Sequence, residues 1–300
     1  MRNTKSTIAI ISSLFLLISC QKDPSLVTTT SPVGNPIVIA PVAPPSAASD
    51  STMLMGNPSS ASLSVSDITN YLLKEIYYSV SYNSVAGIPN WVSWHLCSTD
   101  LGPVSRQNSF SSNNALPSGW YQVSNTSYTG SGFDRGHMCP SADRTTSLDA
   151  NNATFLMTNI VPQAPRNNQI TWASLENYCR DSLVGVQGRE LYIIAGTYGE
   201  GGTSTSGGTP EISIDNGRVK VPAYVWKVIV VLSNGSNDLS RVGTNTRVIS
   251  VIMPNNNDVA TDWRTYRTSV NDIETLTSYD LLSNVSTSIQ TTIEARVDNQ

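Results

Sequence analysis

Two neighbouring segments decide the fold, residues 134–140, Asp134-Arg135-Gly136-His137-Met138-Cys139-Pro140, and residues 167–176, Asn167-Asn168-Gln169-Ile170-Thr171-Trp172-Ala173-Ser174-Leu175-Glu176. His137 is one of two histidines in the 300-residue chain. A neutral imidazole accepts a proton near neutral pH, and Arg135 offers a fixed fork of donors for phosphate oxygens. Gly136 suits a bend or a close backbone approach. Taken alone, such a histidine is more often a hydrogen-bonded loop or core residue.

The second segment predicts the start of a helix. Trp172, Leu175, Cys179 and Leu183 recur at a helical period, and Glu176 shares a helix face with the residue four positions later, Arg180. Each feature has an ordinary structural interpretation, because Glu followed by Arg is a common exposed ion pair and Asn before a helix is a common cap. Their conjunction with residues 134–137 favours a site that cuts a phosphodiester with one metal ion.

The combined segments resemble the signature of the DNA/RNA non-specific endonucleases, the ββα-metal (His-Me finger) nucleases. The resemblance covers nearly the whole chain after Ser66, with further similar segments at 91–106, 155–163, 191–196, 221–232, 251–255 and 270–277. It implies an α+β fold with a central, mostly antiparallel sheet flanked by helices. The interspersed strand and helix patterns of the chain favour the same fold class.

The resemblance also implies roles for individual residues. His137 falls on the general base, Asn168 on the direct protein ligand of Mg²⁺ (with Mn²⁺ as the alternative ion), and Glu176 on the carboxylate that holds metal-bound waters. The phosphate-contacting positions fall on three arginines, Arg106, Arg135 and Arg180. For Asp134 and Asn159, which also match family positions, we predict local hydrogen bonding. The implied activity is hydrolysis of DNA and RNA to 5′-phosphate products.

Net charge offers no independent support for a nucleic-acid partner. The chain carries a net charge of -4, although residues 100–190 contain six arginines, seven acids and no lysine. Sequence-independent DNA affinity usually comes from a broad basic surface, so a local arginine clamp is the most that the composition predicts. The alternatives are a non-catalytic surface nucleic-acid-binding module on the same fold and a phosphodiesterase that acts on another substrate.

The N-terminus has the pattern of a targeting segment. Residues 1–20 start with positive charge, continue with a short apolar run and end in Leu17-Ile18-Ser19-Cys20, which resembles a bacterial lipobox with Cys20 lipidated. An ordinary cleaved signal peptide is the alternative. Residues 21–63, rich in Ser, Thr, Pro and Ala, predict a disordered tether, and residues 64–298 predict the nuclease domain. The expected location is outside the cytoplasm, membrane-anchored, periplasmic or on the cell surface.

Three further cysteines leave their pairing open. Cys139 departs from the family pattern, in which many members have a polar or small residue, and a bridge from Cys139 to Cys179 would tie the motif to the following helix. The alternatives are one other structural bridge or buried small hydrophobes. His95, Cys97 and Cys139 have no compact zinc-site spacing.

The remaining patterns predict the other elements. A helix is expected at 67–78, strands at 90–96, 153–161, 190–196, 219–232 and 248–253, and helical or mixed segments at 273–282 and 289–297.

Overall fold

The computed structural model describes residues 51–300. The predicted signal peptide 1–20 with Cys20, and tether residues 21–50, lie outside the described residues. Within 51–300, no helix has the length and apolar character needed to cross a membrane. The strands are β1 (Tyr71–Lys74), β2 (Ser79–Asn83), β3 (Ile88–Leu96), β4 (Asp134–His137), β5 (Ile160–Gln163), β6 (Arg189–Tyr198), β7 (Ser213–Ile214), β8 (Val219–Lys220), β9 (Tyr224–Ser233), β10 (Arg247–Pro254) and β11 (Arg267–Thr268).

The helices are fewer and mostly short. They are α1 (Leu148–Ala153), α2 (Ala173–Asn177), α3 (Asp238–Arg241), α4 (Val270–Thr277) and α5 (Thr287–Ile293). Helix α2 is continued on both sides by π-helical turns, Asn167–Trp172 before it and Tyr178–Val186 after it. We call these three consecutive segments together the long helix. The helix predicted from Trp172 to Leu183 lies within it.

A seven-stranded sheet in the order β1-β2-β3-β6-β9-β10-β11 forms the centre of the fold. Every neighbouring pair in it is antiparallel. The predicted α+β class with a mostly antiparallel sheet is therefore confirmed. The strands predicted at 90–96, 190–196 and 248–253 correspond to β3, β6 and β10.

The sheet is buried on both faces because successive side chains of a strand point to opposite sides. In β9, Val225 and Ile229 belong to the core under the long helix, which we call the front core. Trp226 and Val228 belong to the core under α4 and α5, which we call the back core. Two covered faces explain why β6, β9 and β10 are almost continuously apolar.

A separate antiparallel ribbon, β4 with β5, presents the first sequence motif. Its register pairs Asp134 with Gln163 and His137 with Ile160. The chain leaves β5 and enters the long helix within a few residues. This ribbon-then-helix unit is the ββα arrangement that the resemblance implies.

The helix predicted at 67–78 is wrong. Residues 71–74 instead form β1, which pairs with β2. Leu72 is buried in the back core and Leu73 in the front core, as expected for a strand's period of two. Ile68 and Ile76, which completed the apparent helical stripe, are 44% and 86% exposed.

The strand predicted at 153–161 is only partly right, because pairing begins at Ile160. Residues Met157–Asn159 form a 3₁₀ turn. The Asn159 side chain accepts a hydrogen bond from the backbone N–H of Cys139 at 2.9 Å and donates to the carbonyls of Cys139 and Thr154, both at 2.8 Å. This buried amide clamps the turn against the motif, and the local hydrogen bonding predicted for Asn159 is present.

The folded region begins earlier than residue 64, so the predicted tether is too long at its C-terminal end. Met53, Met55 and Ala61 are buried in the back core with Leu281 and Leu282. Composition placed this segment with the preceding Ser/Thr/Pro-rich chain. It is ordered because its two methionines fill space between the sheet and the C-terminal segments.

Candidate active site

The site starts at β4, where Gly136 leaves room for the side chain of Gln163 on β5. An ideal Cβ on Gly136 would lie 2.1 Å from Oε1 and 2.6 Å from Cβ of Gln163. No side chain fits there, so Gly136 does permit a close approach to its backbone, made by the Gln163 side chain. The approach fixes the ribbon beside the start of the long helix, since Gln163 Nε2 also donates to Asn167 Oδ1 at 2.6 Å.

His137, at the end of β4, is buried between aromatic rings. The centroids of Phe110 and Phe155 lie 5.5 Å and 4.9 Å from that of the imidazole. The imidazole hydrogen-bonds the backbone carbonyl of Arg135, while Nε2 is buried with no hydrogen-bond partner. Burial, and to a smaller extent the charge of Arg106, lowers the pKa of His137 from 6.5 to about 3. The histidine is therefore a neutral base with an unused acceptor nitrogen.

Asn168 faces the motif from the first turn of the long helix. Its Nδ2 donates to Asp134 Oδ2 at 2.8 Å, and Gln169 Nε2 donates to the same oxygen at 2.8 Å. The local hydrogen bonding predicted for Asp134 is thus present, and it orients the Asn168 amide. The adjacent Asn167 has a different role, because it is fully buried and its Nδ2 donates to the carbonyl of Pro254 at 2.8 Å.

Glu176 lies two turns further along the long helix and is tied to the central sheet. Its Oε1 is 3.5 Å from Nζ of Lys227, which projects from β9. Burial raises the pKa of Glu176, while the charges of Lys227 and Arg180 oppose that shift. The same carboxylate interacts electrostatically with Arg106, which in turn interacts with Arg135 and His137. These interactions connect the ribbon residues with the helix residues.

Two of the three predicted arginines border an open cavity of about 410 Å³. Arg106 and Arg135 line it together with Asp134 and Asn168. The Arg135 guanidinium lies 4.4 Å from the Phe110 ring centroid and donates to Asn125. Arg106 donates to Asn108 at 2.8 Å and Ser141 at 2.9 Å, and lies 4.9 Å from the Phe155 ring. A cationic cavity lined by amides can accept a phosphate-bearing ligand.

Arg180 occupies a different position from these two arginines. Its Nη1 donates to Asp143 Oδ1 at 2.7 Å and its Nη2 to Asn177 Oδ1 at 2.7 Å. Burial lowers the pKa of Arg180, but the carboxylates of Asp143 and Glu176 outweigh burial and leave it raised. Arg180 does not line the cavity; its guanidinium is engaged in a largely buried ion pair.

Comparison with known proteins is consistent with this arrangement. The family model describing DNA/RNA non-specific endonucleases matches residues 58–288. The chain is 47% identical over 247 residues to a nuclease of Nostoc sp., covering 82% of this chain and 86% of that protein. This chain belongs to the DNA/RNA non-specific endonuclease family. Membership makes it an endonuclease, a hydrolase of phosphodiester bonds, and disfavours the non-catalytic binding module.

More distant relatives agree with the assignment. The mitochondrial nuclease EXOG of Xenopus laevis is 32% identical over 173 residues, which cover 56% of this chain and 47% of EXOG. The match thus spans about half of that protein. A chain in the crystal structure of the EndoG/EndoGI complex superposes with a TM-score of 0.62 at 20% identity, covering 82% of this chain and 96% of that one. At such identity the likeness bears on the fold alone, and it confirms the predicted fold.

The endonuclease has site residues that the sequence patterns did not single out. Lys227 interrupts the apolar strand β9, and a lysine inside such a run is a signal that could have been noticed. Asp143 carries no local signal, because its partners Trp94 and Arg180 are distant in sequence. Phe110 lies in a polar loop, and only the tertiary structure brings it over His137.

The donor atoms at this site suit a hard cation. Asn168 has an amide oxygen and Glu176 a carboxylate, which are the ligand types that Mg²⁺ prefers, while Oδ2 of Asp134 accepts hydrogen bonds from the Asn168 and Gln169 amides. Within residues 51–300, two groups of three His, Cys, Asp or Glu side chains have their ligand atoms within 4.8 Å of one another. Both contain His95 and neither contains His137: they are His95-Cys97-Asp100 and His95-Glu190-Asp238. Neither group includes Cys139, so the three-residue zinc combination considered above is not assembled.

The bridge between Cys139 and Cys179, one of the alternatives for these cysteines, is not formed in the structure. Both residues are buried free thiols in the front core. Burial raises the pKa of the Cys139 thiol and raises that of Cys179 to about 12. Because the thiolate is the reactive form of cysteine, both environments make these thiols unreactive in the folded protein. These cysteines act as small apolar side chains between the ribbon, the long helix and the sheet.

Proposed function

We propose that this endonuclease is a Mg²⁺-dependent, sugar-non-specific enzyme that hydrolyses phosphodiester bonds of DNA and RNA and leaves 5′-phosphate products. His137 acts as the general base. The observation that carries the proposal is the state of this imidazole: it is neutral, it is held by the Arg135 carbonyl, and its Nε2 is buried without a partner. A base needs a free acceptor nitrogen within reach of the proton that it removes.

The neutral state of His137 follows from its surroundings and is useful for the reaction. Apolar rings on two sides and guanidinium groups nearby both disfavour the imidazolium form. The base therefore needs no deprotonation before it accepts a proton from water at neutral pH. The hydrogen bond to Arg135 fixes the ring, so that Nε2 keeps one orientation during the reaction.

Asn168 would bind the metal directly. Glu176 would hold metal-bound waters, and Asp134 would orient the Asn168 amide. Mg²⁺, when bound, supplies electrostatic stabilisation of negative charge on the phosphate and the leaving 3′-oxygen. Asp134 receives the Asn168 amide hydrogen, so the amide oxygen is turned away from that carboxylate. A neutral amide ligand leaves most of the cation's charge uncompensated, which suits this role.

Arg106 and Arg135 would bind the non-bridging phosphate oxygens. Both line the cavity, and Arg106 interacts electrostatically with Glu176 and Arg135. Preorganised cations at the position where charge develops lower the barrier more than they strengthen substrate binding. Contacts to phosphate carry no sequence information, so we expect weak base preference. The charge of Arg180, which forms an ion pair with Asp143, stabilises the Glu176 carboxylate. Arg180 would contact phosphate only if its ion pair with Asp143 were broken.

We also propose that the enzyme is exported and anchored by lipidated Cys20, with residues 21–50 as tether, either in the periplasm or on the cell surface. The support is the sequence pattern 1–20. Metabolic labelling with a fatty-acid analogue tests it. Labelled wild-type protein and unlabelled Cys20→Ala protein are expected; equal labelling of both would contradict the anchor.

The activity is tested with purified protein on plasmid DNA, single-stranded DNA and RNA, each with Mg²⁺, Mn²⁺ or chelator. We expect cleavage of all three substrates, loss of cleavage with chelator, and a fall of about 10²–10⁴-fold in kcat for His137→Ala. His95→Ala is the matched control, since His95 is the other histidine of the chain and lies outside the site. Full activity of His137→Ala, or cleavage in chelator, would refute the mechanism.

The product ends need a separate measurement. If products carry 5′-phosphates, polynucleotide kinase labels them only after phosphatase treatment. Direct labelling of untreated products would mean 5′-hydroxyl ends and would contradict the proposed bond cleavage.

A further inference from the structure

A positive charge is buried at the centre of the main sheet. Lys227 lies in the middle of β9, and its side chain is 1% exposed. Its register partners on the two neighbouring strands are Ala195 and Val251, both buried and apolar. Neither register partner offers the ammonium group a polar side chain, so its compensation must come from other residues of the front core.

One carboxylate and one aromatic ring from the long helix, and a second aromatic ring from β3, lie beside the ammonium. Glu176 Oε1 lies 3.5 Å from Nζ. The rings of Trp172 and Trp94 lie 4.1 Å and 5.6 Å from Nζ, within the range of cation–π attraction. Trp172 and Glu176 are four residues apart on the long helix and so share one of its faces. The ammonium is enclosed on that side by the helix and on another by Trp94 from β3.

Fold stability gives little reason to keep such a pair. Replacing a buried ion pair by apolar side chains of similar size is often neutral or stabilising, because two charges must be taken out of water. An apolar residue at 227 would also suit the front core, which surrounds it with valines and isoleucines. The charge has a clear use only at its other end, on the Glu176 carboxylate, which also interacts electrostatically with Arg106 of the cavity.

We propose that Lys227 is a positioning residue for the nuclease reaction, whose ammonium holds Oε1 of Glu176 and leaves Oε2 for the metal site. Because Lys227 is fixed by two tryptophan rings and by the rigid centre of the sheet, it sets the carboxylate's rotamer from behind. This inference rests on the proposed part of Glu176 in holding Mg²⁺. Partners that orient metal-site groups in this way typically change metal affinity or activity by about 10–100-fold when removed.

The test is a double-mutant cycle on full-length protein with Lys227→Met, Glu176→Gln and the double variant. Lys220→Met is the matched control, since the Lys220 side chain, on β8, is 30% exposed and pairs with Glu200 at 3.2 Å. The primary readout is Mn²⁺ binding by calorimetry and by electron paramagnetic resonance, without substrate. Cleavage kinetics and thermal unfolding are measured in parallel.

We expect Lys227→Met to weaken Mn²⁺ binding by about 10–100-fold and Lys220→Met to leave it unchanged. In the Glu176→Gln background, Lys227→Met should add less than about twofold, because both changes remove the same interaction. Independent, multiplicative losses would overturn the proposal, as would wild-type Mn²⁺ affinity in Lys227→Met.

Folding defects do not remove the test. If Lys227→Met alone fails to fold because Glu176 is left buried without its partner, the double variant removes both charges and is compared with Glu176→Gln alone. Equal Mn²⁺ affinity of these two supports the inference, and a further loss in the double variant overturns it. Failure of the proposed function would instead appear in the wild-type protein, as cleavage without any divalent ion.

Discussion

Replacing His137 by asparagine should change how the stability of the protein depends on pH. In the native protein the pKa of His137 is about 3, whereas its ordinary value is 6.5. Between these values the unfolded chain binds a proton that the native protein does not. Stability from this group is therefore fully present above pH 6.5 and is lost as pH falls toward 3. Linkage gives a loss of about 2 kcal/mol between pH 7 and pH 5.

The assay is reversible urea unfolding of wild-type and His137→Asn protein at several pH values between 5 and 7, with chelator present. All other titrating groups are common to both proteins, so the difference between the two curves isolates His137. Between pH 7 and pH 5, the free energy of unfolding of the wild type should fall by about 2 kcal/mol relative to that of His137→Asn. Parallel curves would show that His137 titrates normally, and the argument for a neutral, buried base would then be wrong.

Three further experiments, two substitutions and one thiol-labelling measurement, test the packing around the site. Gly136→Ala should destabilise the protein by about 1–3 kcal/mol and lower kcat, because the added Cβ would lie 2.1 Å from Oε1 of Gln163. Gly243→Ala is the control, since no atom lies within 4 Å of the added Cβ there; equal stability of the two variants would contradict the close approach at Gly136. When the protein is unfolded in the absence of reductant, both Cys139 and Cys179 should react with an alkylating reagent. Peptide mapping that finds the two residues joined by a disulfide would contradict this. Asp143→Ala should cost about 3–5 kcal/mol in urea unfolding, since it leaves a buried guanidinium unpaired; a loss below about 1 kcal/mol would mean that the pair behaves like an exposed one.

The sequence predicted the strands of the central sheet well where burial on both faces makes a continuous apolar run. It failed at residues 67–78, where a short strand with one side chain in each core imitates a helical stripe. It also failed at 51–63, since two methionines in a Ser-rich segment give no periodic signal. Both errors have the same physical cause: the apolar partners of these residues are distant in sequence, and local spacing does not reveal them.

For the site, residue types and spacing indicated phosphodiester chemistry, and the family resemblance implied which residues would be the base, the metal ligand, the carboxylate and the phosphate-binding arginines. Most of these candidate groups lie between residues 134 and 176, on the β4–β5 ribbon and the long helix. Chemical type is consistent with these roles, but each type also has an ordinary structural use, so the resemblance was needed to propose them.

Only the tertiary structure decided the state of each group. Burial beside Phe110 and Phe155 keeps His137 neutral. Asp143 binds the Arg180 guanidinium away from the cavity. Lys227, on β9, contacts the Glu176 carboxylate from the sheet side. Electrostatic states depend on burial and on charges a few ångströms away, whatever their distance along the chain. The sequence alone thus determined which groups the endonuclease has, and packing determined their protonation, orientation and reach.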